Sequence, residues 1–544
     1  MGINKTVADK CECALKKPGR KKLVVAGLLV FVFAMLLASY GIANTHSWGD
    51  DFSQYIAQAR ALVEGNVNEW YARNSFTIEH SVSGLGSNAY PWMTSILIAP
   101  IYAIWGLNYI PYQIFLSFCF AIAVTVLYVI MVRRRFKFAV ALLICCMIIA
   151  NPNYLVLTKN VISDIPGFMF TVISWLLIDM YLESRSLKHA IFTGIFIFAA
   201  YAARTMALAL PAAMGIIDLV CFIRLIKNKQ LSKRRFAVIC TPYAVFTVLF
   251  VLLSCLLPKG GSSYWTYFSL DIDRIIRNAD YYRKLMFIMF TQHFEVAPTL
   301  TSFFRTYDSL IVSVFAVLMI PVIILCLQGM IRRIRDLDHL PLFFIATFLM
   351  LLIYGYQQGT RFIISLFPIV LICVYYGITN AGAHLKEKQK DKDKSESKSL
   401  KFSFRDLMLY ITAFCCGLVC ILSILMGIVL ISIGVAKSER QVLSVNQPLA
   451  LEAYSYINAH LDKDDVVIFM RPRALCLYTD VYSFSNKAAL EETDIKADYI
   501  LRYSGDGSYD KYINEHKDDL IEQFNNERFT LYKIAKNNNR RMQQ

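Results

Sequence analysis

Long apolar runs separated by short charged clusters set the pattern of this chain. They fall near 23–43, 109–132, 138–157, 164–182, 188–203, 205–226, 236–257, 309–328, 340–357, 361–379 and 406–433. A helix of about 20 apolar residues crosses a hydrocarbon layer of roughly 30 Å, so the pattern predicts eleven membrane spans. The stretch 92–107, WMTSILIAPIYAIWGL, is also apolar. It is short and interrupted by Pro100, and it is expected to lie along the outer interface.

Two connections are long enough to hold structure of their own, 44–108 and 258–308. In the first, Phe52, Tyr55, Ile56, Ala59, Leu62 and Val63 recur at helical spacing. They predict an amphipathic helix on the membrane surface, ended by Gly65. The second opens with PKGGSSYWTYF, whose glycines and aromatics suit a mobile cover over a site. The segment HLKEKQKDKDKSESKS at 384–399 alternates charge with no apolar face and reads as a solvated linker.

Beyond about residue 436 the pattern changes. ALEAYSYINAHL keeps helical spacing, whereas DVVIFM, ADYILRY and FTLYKI read as strands. The expected fold class is therefore mainly α: a polytopic membrane helix bundle over 1–433, followed by a small exported α/β domain over 434–544. No internal repeat is visible, which disfavours the inverted-repeat plan of many transporters.

Composition agrees with a membrane bundle. Of 544 residues, 56% are hydrophobic and 18% charged, and the mean hydropathy is +0.46. The net charge of +16 is concentrated in clusters beside spans, such as KKPGRKK, RRRFK and RRIR. Those clusters place the N-terminus inside and the tail outside, as in a bacterial cytoplasmic membrane protein, and they do not form an aromatic-studded face for nucleic acid. The first run, with GIA at 41–43, resembles a signal peptide, but its apolar core of about 20 residues favours an uncleaved anchor. Of the 14 cysteines only Cys476 lies in the exported tail, so no disulfide framework exists there. Cys11 and Cys13 read as a reduced pair near the inner surface, with lipidation as the alternative.

Candidate chemistry gathers at the outer ends of the spans. Asp50 and Asp51 stand side by side at a membrane boundary, where burying a carboxylate requires a partner, a metal or water. Capping of the following helix is the simpler role for either. Asp164, in TKNVISDIPGFMF, sits at a matching depth, and capping is again its alternative. If the carboxylates meet in one cavity, one can act as general base while the other orients an acceptor or holds a metal. Arg204 and Arg361 lie at the same level with Lys159 nearby. They suit a lipid phosphate, or the arginines simply snorkel to the interface.

Four segments in this order, D-D-F-x-x-Y-I-x-x-A-R at 50–60, YPWMTSILIAPIY at 90–102, S-D-x-P at 163–166 and TRFIISLFP at 360–368, resemble the GT-C glycosyltransferases. The branch they are most similar to holds the protein O-mannosyltransferases and the lipid A aminoarabinose transferases, glycosyltransferase family 39-like enzymes. The resemblance covers most of the membrane part. It implies a polyprenyl-phosphate or dolichyl-phosphate sugar donor, a lipid, glycan or protein acceptor, and transfer on the outer face. It places Asp51 on the catalytic acid, with Asp50 as the alternative, Asp164 on the second acidic position, and Tyr55 beside the substrate. The tail segment FMRPRALCLYTD resembles the small exported domains of bacterial members, and no trefoil domain is present.

The sequence therefore points to an inverting membrane glycosyltransferase with Asp51 as base and Arg204, Arg361 and Lys159 on the donor phosphate. A divalent metal is admissible but adjacent aspartates do not require one. A transporter, flippase or polymerase of lipid-linked glycans is the rival, with the same charges lining a pathway. A third reading gives the work to the exported domain, with Arg471, Arg473 and Tyr478 as its polar candidates.

Overall fold

The computed structural model describes residues 20–81, 85–258, 267–291, 298–392, 414–425, 427–428, 444–485 and 497–535. Six helices among them are long and apolar enough to cross a membrane, and further apolar helices are shorter. Helix α1 (Arg20–Ser39) packs on α5 (Tyr109–Arg133), and α5 packs on α8 (Asp164–Ser184). Next come α9 (Leu187–Ala203), α10 (Ala209–Lys227) and α11 (Lys233–Leu256), then α13 (Pro298–Arg335), α14 (His339–Ile353) and α15 (Phe367–Lys392). The buried core runs through α5 and α8, where Phe120, Phe168 and Trp175 are all enclosed.

Several expected boundaries move for local reasons. The run 138–157 is broken into Phe138–Ile149 and Pro152–Leu157 because the Asn151 side chain accepts from the Asn153 N–H and Pro152 starts a new helix. The run 361–379 begins in a tight turn, Gly359–Phe362, so Arg361 precedes its helix instead of opening it. Helix α15 reaches Lys392, into the first part of the charged 384–399 segment. The rest of that segment, most of PKGGSSYWTYF, half of the 406–433 span, and Cys11 and Cys13 lie outside the described residues.

Two close approaches pin α15 to α13. A Cβ on Gly329 would collide with the carbonyl of Cys373, and one on Gly377 with the carbonyl of Leu325. Backbones of neighbouring helices come this near only where a side chain is missing.

The 44–108 connection holds α2 (Asp51–Glu64), α3 (Val67–His80) and α4 (Trp92–Trp105). Helix α2 has the expected bounds and ends at Gly65, whose φ of +73° suits a residue without Cβ. It does not lie open on a surface, however. Ser53, Gln54 and Gln58 on its polar side are buried as deeply as Phe52 and Ile56, because α4 and the C-terminal segment cover it. The amides are satisfied there: Gln54 donates to the Asn88 carbonyl at 3.1 Å, and Gln58 pairs with both backbone groups of Tyr90.

The C-terminal segment forms a five-stranded sheet of order β2-β1-β3-β5-β4, from β1 (Val466–Ile468), β2 (Tyr482–Phe484), β3 (Tyr499–Tyr503), β4 (Leu520–Asn525) and β5 (Phe529–Ile534). The first three pair in parallel, and β5 is antiparallel to β3 and β4. The three expected strands are β1, β3 and β5; β2 and β4 are found in addition, and LIEQFN is largely exposed, so it carries little apolar pattern. Val467, Leu501 and Leu531 face one side, under the helix Pro448–His460. Ile468 and Ile500 face the other, under Asp510–Glu515.

This unit is docked on the 44–108 connection at several points. The Val445 N–H donates to the His46 carbonyl at 2.9 Å, Trp48 packs among Phe469, Tyr503 and Phe529, and the hydroxyls of Tyr109 and Tyr478 share a hydrogen bond of 2.7 Å. Arg60 grips Asp480 through two parallel bonds of 2.8 and 2.9 Å, and Arg73 donates to the Asp480 carbonyl.

Two predictions follow from this packing. Gly329→Val should lower the thermal midpoint of the purified protein through an overpacking cost of about 1–3 kcal/mol, read by unfolding in detergent. Asp480→Ala removes a partly exposed bidentate pair worth about 1 kcal/mol; hydrogen exchange of 466–485 should speed up several-fold while that of α5 and α8 is unchanged.

Candidate active site

Asp50 and Asp51 open α2 but cap nothing on it. Asp50 occupies its N-cap position without a side-chain bond to the helix, and Asp51 is the first helical residue. Successive residues at a helix start point about 100° apart, so the two carboxylates diverge. Asp50 turns to the C-terminal unit, where Oδ1 accepts the backbone N–H of Arg473 at 3.2 Å and Oδ2 meets Arg471 Nη1 at 3.3 Å. It thus caps the helix Pro472–Thr479, a different helix from the one its sequence position suggests.

Asp51 turns to the membrane bundle. Its Oδ2 is 2.8 Å from Arg361 Nη1, and its Oδ1 accepts a 2.7 Å hydrogen bond from the Tyr90 hydroxyl. Burial pushes this carboxyl up, but the Arg361 charge and the hydrogen bonds from Arg361 and Tyr90 outweigh it and hold it below the ordinary carboxylate value. For Asp50 burial wins over Arg473 and Arg471, and its carboxyl is raised. The neighbours are thereby made unlike.

Asp164 lies at the start of α8 and is 0% exposed. It does not cap α8 with its side chain; it holds Arg204 and Arg361 together. Arg361 gives Nε and Nη2 to Asp164, the latter at 2.9 Å, and Nη1 to Asp51, so that all three of its nitrogens are engaged. Arg204 does not snorkel outward. It leaves α9 in an extended conformation, meets Asp164, and lies over the Phe362 ring at 5.2 Å. Gly167 makes this possible, since a Cβ there would sit 2.8 Å from the Arg204 stem.

The loop that carries Arg361 is itself held from the 258–308 connection. There α12 (Ile272–Thr291) presents Asn278, whose amide donates to the carbonyls of Leu351, Leu352 and Tyr354 at 2.9–3.1 Å and so closes the end of α14. Gly359, at φ +67°, donates its N–H to the Tyr281 hydroxyl at 2.8 Å. That connection therefore supports the site in its described part.

A cleft of about 530 Å³ opens between these walls, lined by Asp50, Asp51, Asn160, Arg361, Arg471 and Ser485 among others. Asp51, Asp164, Arg204 and Arg361 are linked by ion pairs, but they do not all border the cleft. Asp51 and Arg361 line the cleft; Asp164 and Arg204 form the layer behind Arg361. Tyr55 is buried beside them and donates to Ser163 at 2.8 Å. Lys159 is not brought to the cleft, since its ammonium is buried and donates to the Ala38 carbonyl. Among the described residues no three His, Cys, Asp or Glu side chains converge as a metal would need.

Three contributors went unassigned in the sequence or were given to another role. Tyr90 lay in a quoted motif without a function; it links Asp51 to Arg473, whose Nη1 donates to the Tyr90 oxygen at 3.0 Å. Arg471 and Arg473 were weighed only for a separate exported domain. The one signal for them was R-P-R between a strand and a helix, where the proline fixes the turn and points its neighbours apart.

No protein-family model and no curated protein sequence matches the chain. Solved structures do. ArnT from Cupriavidus metallidurans bound to undecaprenyl phosphate aligns at 11% identity over 95% of this chain and 98% of that one, with a TM-score of 0.53. The same protein in the apo state aligns at 11% identity over 94% and 98%, with a TM-score of 0.51. The Archaeoglobus fulgidus oligosaccharyltransferase tethered with an acceptor peptide aligns at 10% identity over 88% and 69%, with a TM-score of 0.49. Over nearly its whole length, membrane bundle and C-terminal sheet together, the chain has the fold of ArnT.

Proposed function

We propose that this protein is a membrane glycosyltransferase that moves a sugar from a polyprenyl-phosphate or dolichyl-phosphate carrier to an acceptor hydroxyl at the outer face of the membrane. The observation that carries the reading is the pairing of Asp51 with Arg361 at the wall of the cleft, a base beside a cation. The fold shared with ArnT, which binds undecaprenyl phosphate, supports it. The N-terminus is then cytoplasmic and the C-terminal unit outside, as the basic clusters require.

The chemistry is a single displacement. Asp51 takes the proton of the acceptor hydroxyl, the oxygen attacks the anomeric carbon, and the bond from that carbon to the phosphate oxygen breaks with its electron pair going to the carrier phosphate. Inversion at the anomeric carbon follows. Arg361 stabilises the charge that grows on the leaving phosphate. Asp164 and Arg204 are positioning residues, which fix the guanidinium of Arg361 from behind.

In the free protein Arg361 keeps Asp51 ionised but makes it a weak base. A phosphate that draws Arg361 away leaves Asp51 partly desolvated with less compensating charge, and its basicity rises when the donor is present. A transporter would use the cleft without bond breaking, so isolation of the glycosylated product separates the two readings.

Asp51→Asn should reduce transfer from labelled polyprenyl-phosphate sugars by about 10²–10⁴-fold, the span of general-base contributions, while the protein still binds the carrier. Asp164→Asn should cost about 10²-fold through a misplaced Arg361. Full activity in both variants removes the assignment.

The pH profile gives an independent check. Asp51 acts as its carboxylate, and in the free protein its carboxyl lies below the ordinary value of 3.8. Thus kcat/KM should stay flat as pH falls from 7 to about 5, while the acid limb of kcat lies at higher pH, because Arg361 is then occupied by phosphate. The same depressed carboxyl contributes stability above the unfolded value that is lost as pH falls below it.

A further inference from the structure

The cations of the membrane bundle are already committed. Arg361 has every nitrogen on a carboxylate, and Arg204 is held by Asp164 and the Phe362 ring. Arg473 is 3% exposed and spends its guanidinium on Asn74, the carbonyls of Leu85 and Ser87, and Tyr90. Arg471 differs from all three. Its side chain is 46% exposed, it lines the cleft, and among the described residues its polar partner is Asp50, at a single contact of 3.3 Å. Asp50 in turn also accepts the Arg473 backbone N–H, so Arg471 can leave it without orphaning the carboxylate.

Charge points the same way. Arg204, Arg361, Arg471 and Arg473 face Asp50, Asp51 and Asp164, which leaves one guanidinium in excess around the cleft. A phosphate oxygen matches the planar fork of a guanidinium with free N–H groups.

We propose that Arg471, delivered by the C-terminal unit, binds the phosphate of a substrate in the cleft, so that this unit is a working part of the active site. The inference rests on the reading of the cleft as a site for lipid-phosphate-linked substrates. The phosphate is that of the lipid carrier or one borne by the acceptor, and the chemistry of capture is the same. Arg361 must give up Asp51 to reach it; Arg471 gives up only a long contact with a carboxylate that keeps another donor.

The test uses the full-length protein in lipid nanodiscs and measures binding of undecaprenyl phosphate, with undecaprenol as the uncharged control and inorganic phosphate as competitor. Arg471→Gln should weaken binding about tenfold or more, the scale of one charge-assisted hydrogen bond, and Arg471→Lys should recover part of it. Asp50→Asn should tighten binding, because it frees Arg471. A purely structural tether would instead make Asp50→Asn and Arg471→Gln equally harmful. Binding by Arg471→Gln within about twofold of wild type together with unchanged KM for both donor and acceptor, equal weakening in both variants, or no phosphate-dependent binding by the wild type overturns the proposal.

Kinetics identify the source. A rise in KM for the donor alone assigns the phosphate to the carrier, and a rise for the acceptor alone assigns it to the acceptor. Sugar transfer that persists with KM unchanged in Arg471→Gln sinks this inference and leaves the proposed function standing. Phosphate capture through Arg471 without any sugar transfer does the reverse.

Discussion

A fully enclosed carboxylate must be answered by opposite charge, and Asp164 is answered twice, by Arg204 from the end of α9 and by Arg361 from the turn before α15. Removal of both partners would leave an uncompensated charge in a low-dielectric surrounding, a loss of about 3–5 kcal/mol for such groups. Three distant parts of the chain are thus tied at one point. Every other feature of the site is placed relative to it: Arg361 carries Asp51, Asp51 fixes Tyr90, and Tyr90 receives Arg473 from the C-terminal unit.

The two neighbouring aspartates gain their meaning from the start of a helix. There adjacent side chains point in different directions, so one sequence pair serves two walls of one cleft. Asp51 looks to the bundle and is held ionised; Asp50 looks to the C-terminal unit, and burial raises its carboxyl in spite of two arginines. Neither would be distinguished by composition or spacing alone.

The bundle and its apolar runs were legible in the sequence because hydrocarbon forces backbone hydrogen bonds inside each run. Helix α2 and its Gly65 end were legible for the same kind of reason, as were β1, β3 and β5. What could not be read was long-range pairing. That α2 is covered on its polar side, that Arg204 turns inward past Gly167, that Lys159 lies against the Ala38 carbonyl, and that R-P-R reaches Asp50 all depend on contacts between residues far apart in the chain. Periodicity reports which face of an element is apolar, but not which segment will cover it. Asp50 shows the limit well: the capping signal was real, and the helix it caps lies more than 400 residues downstream.

The attachment of Val445 to His46, with Arg471 and Ser485 forming the far wall of the cleft, bears on how the molecule is born. A nascent chain that ends before Met470 already contains the helices from Arg20 to Lys392, with Asp51, Asp164 and both bundle arginines, yet it has only one bank of the cleft. The ribosome therefore makes the hydrophobic bundle before the wall that encloses the cleft. The cleft closes only once the C-terminal unit has been made and has docked on the earlier part of the chain.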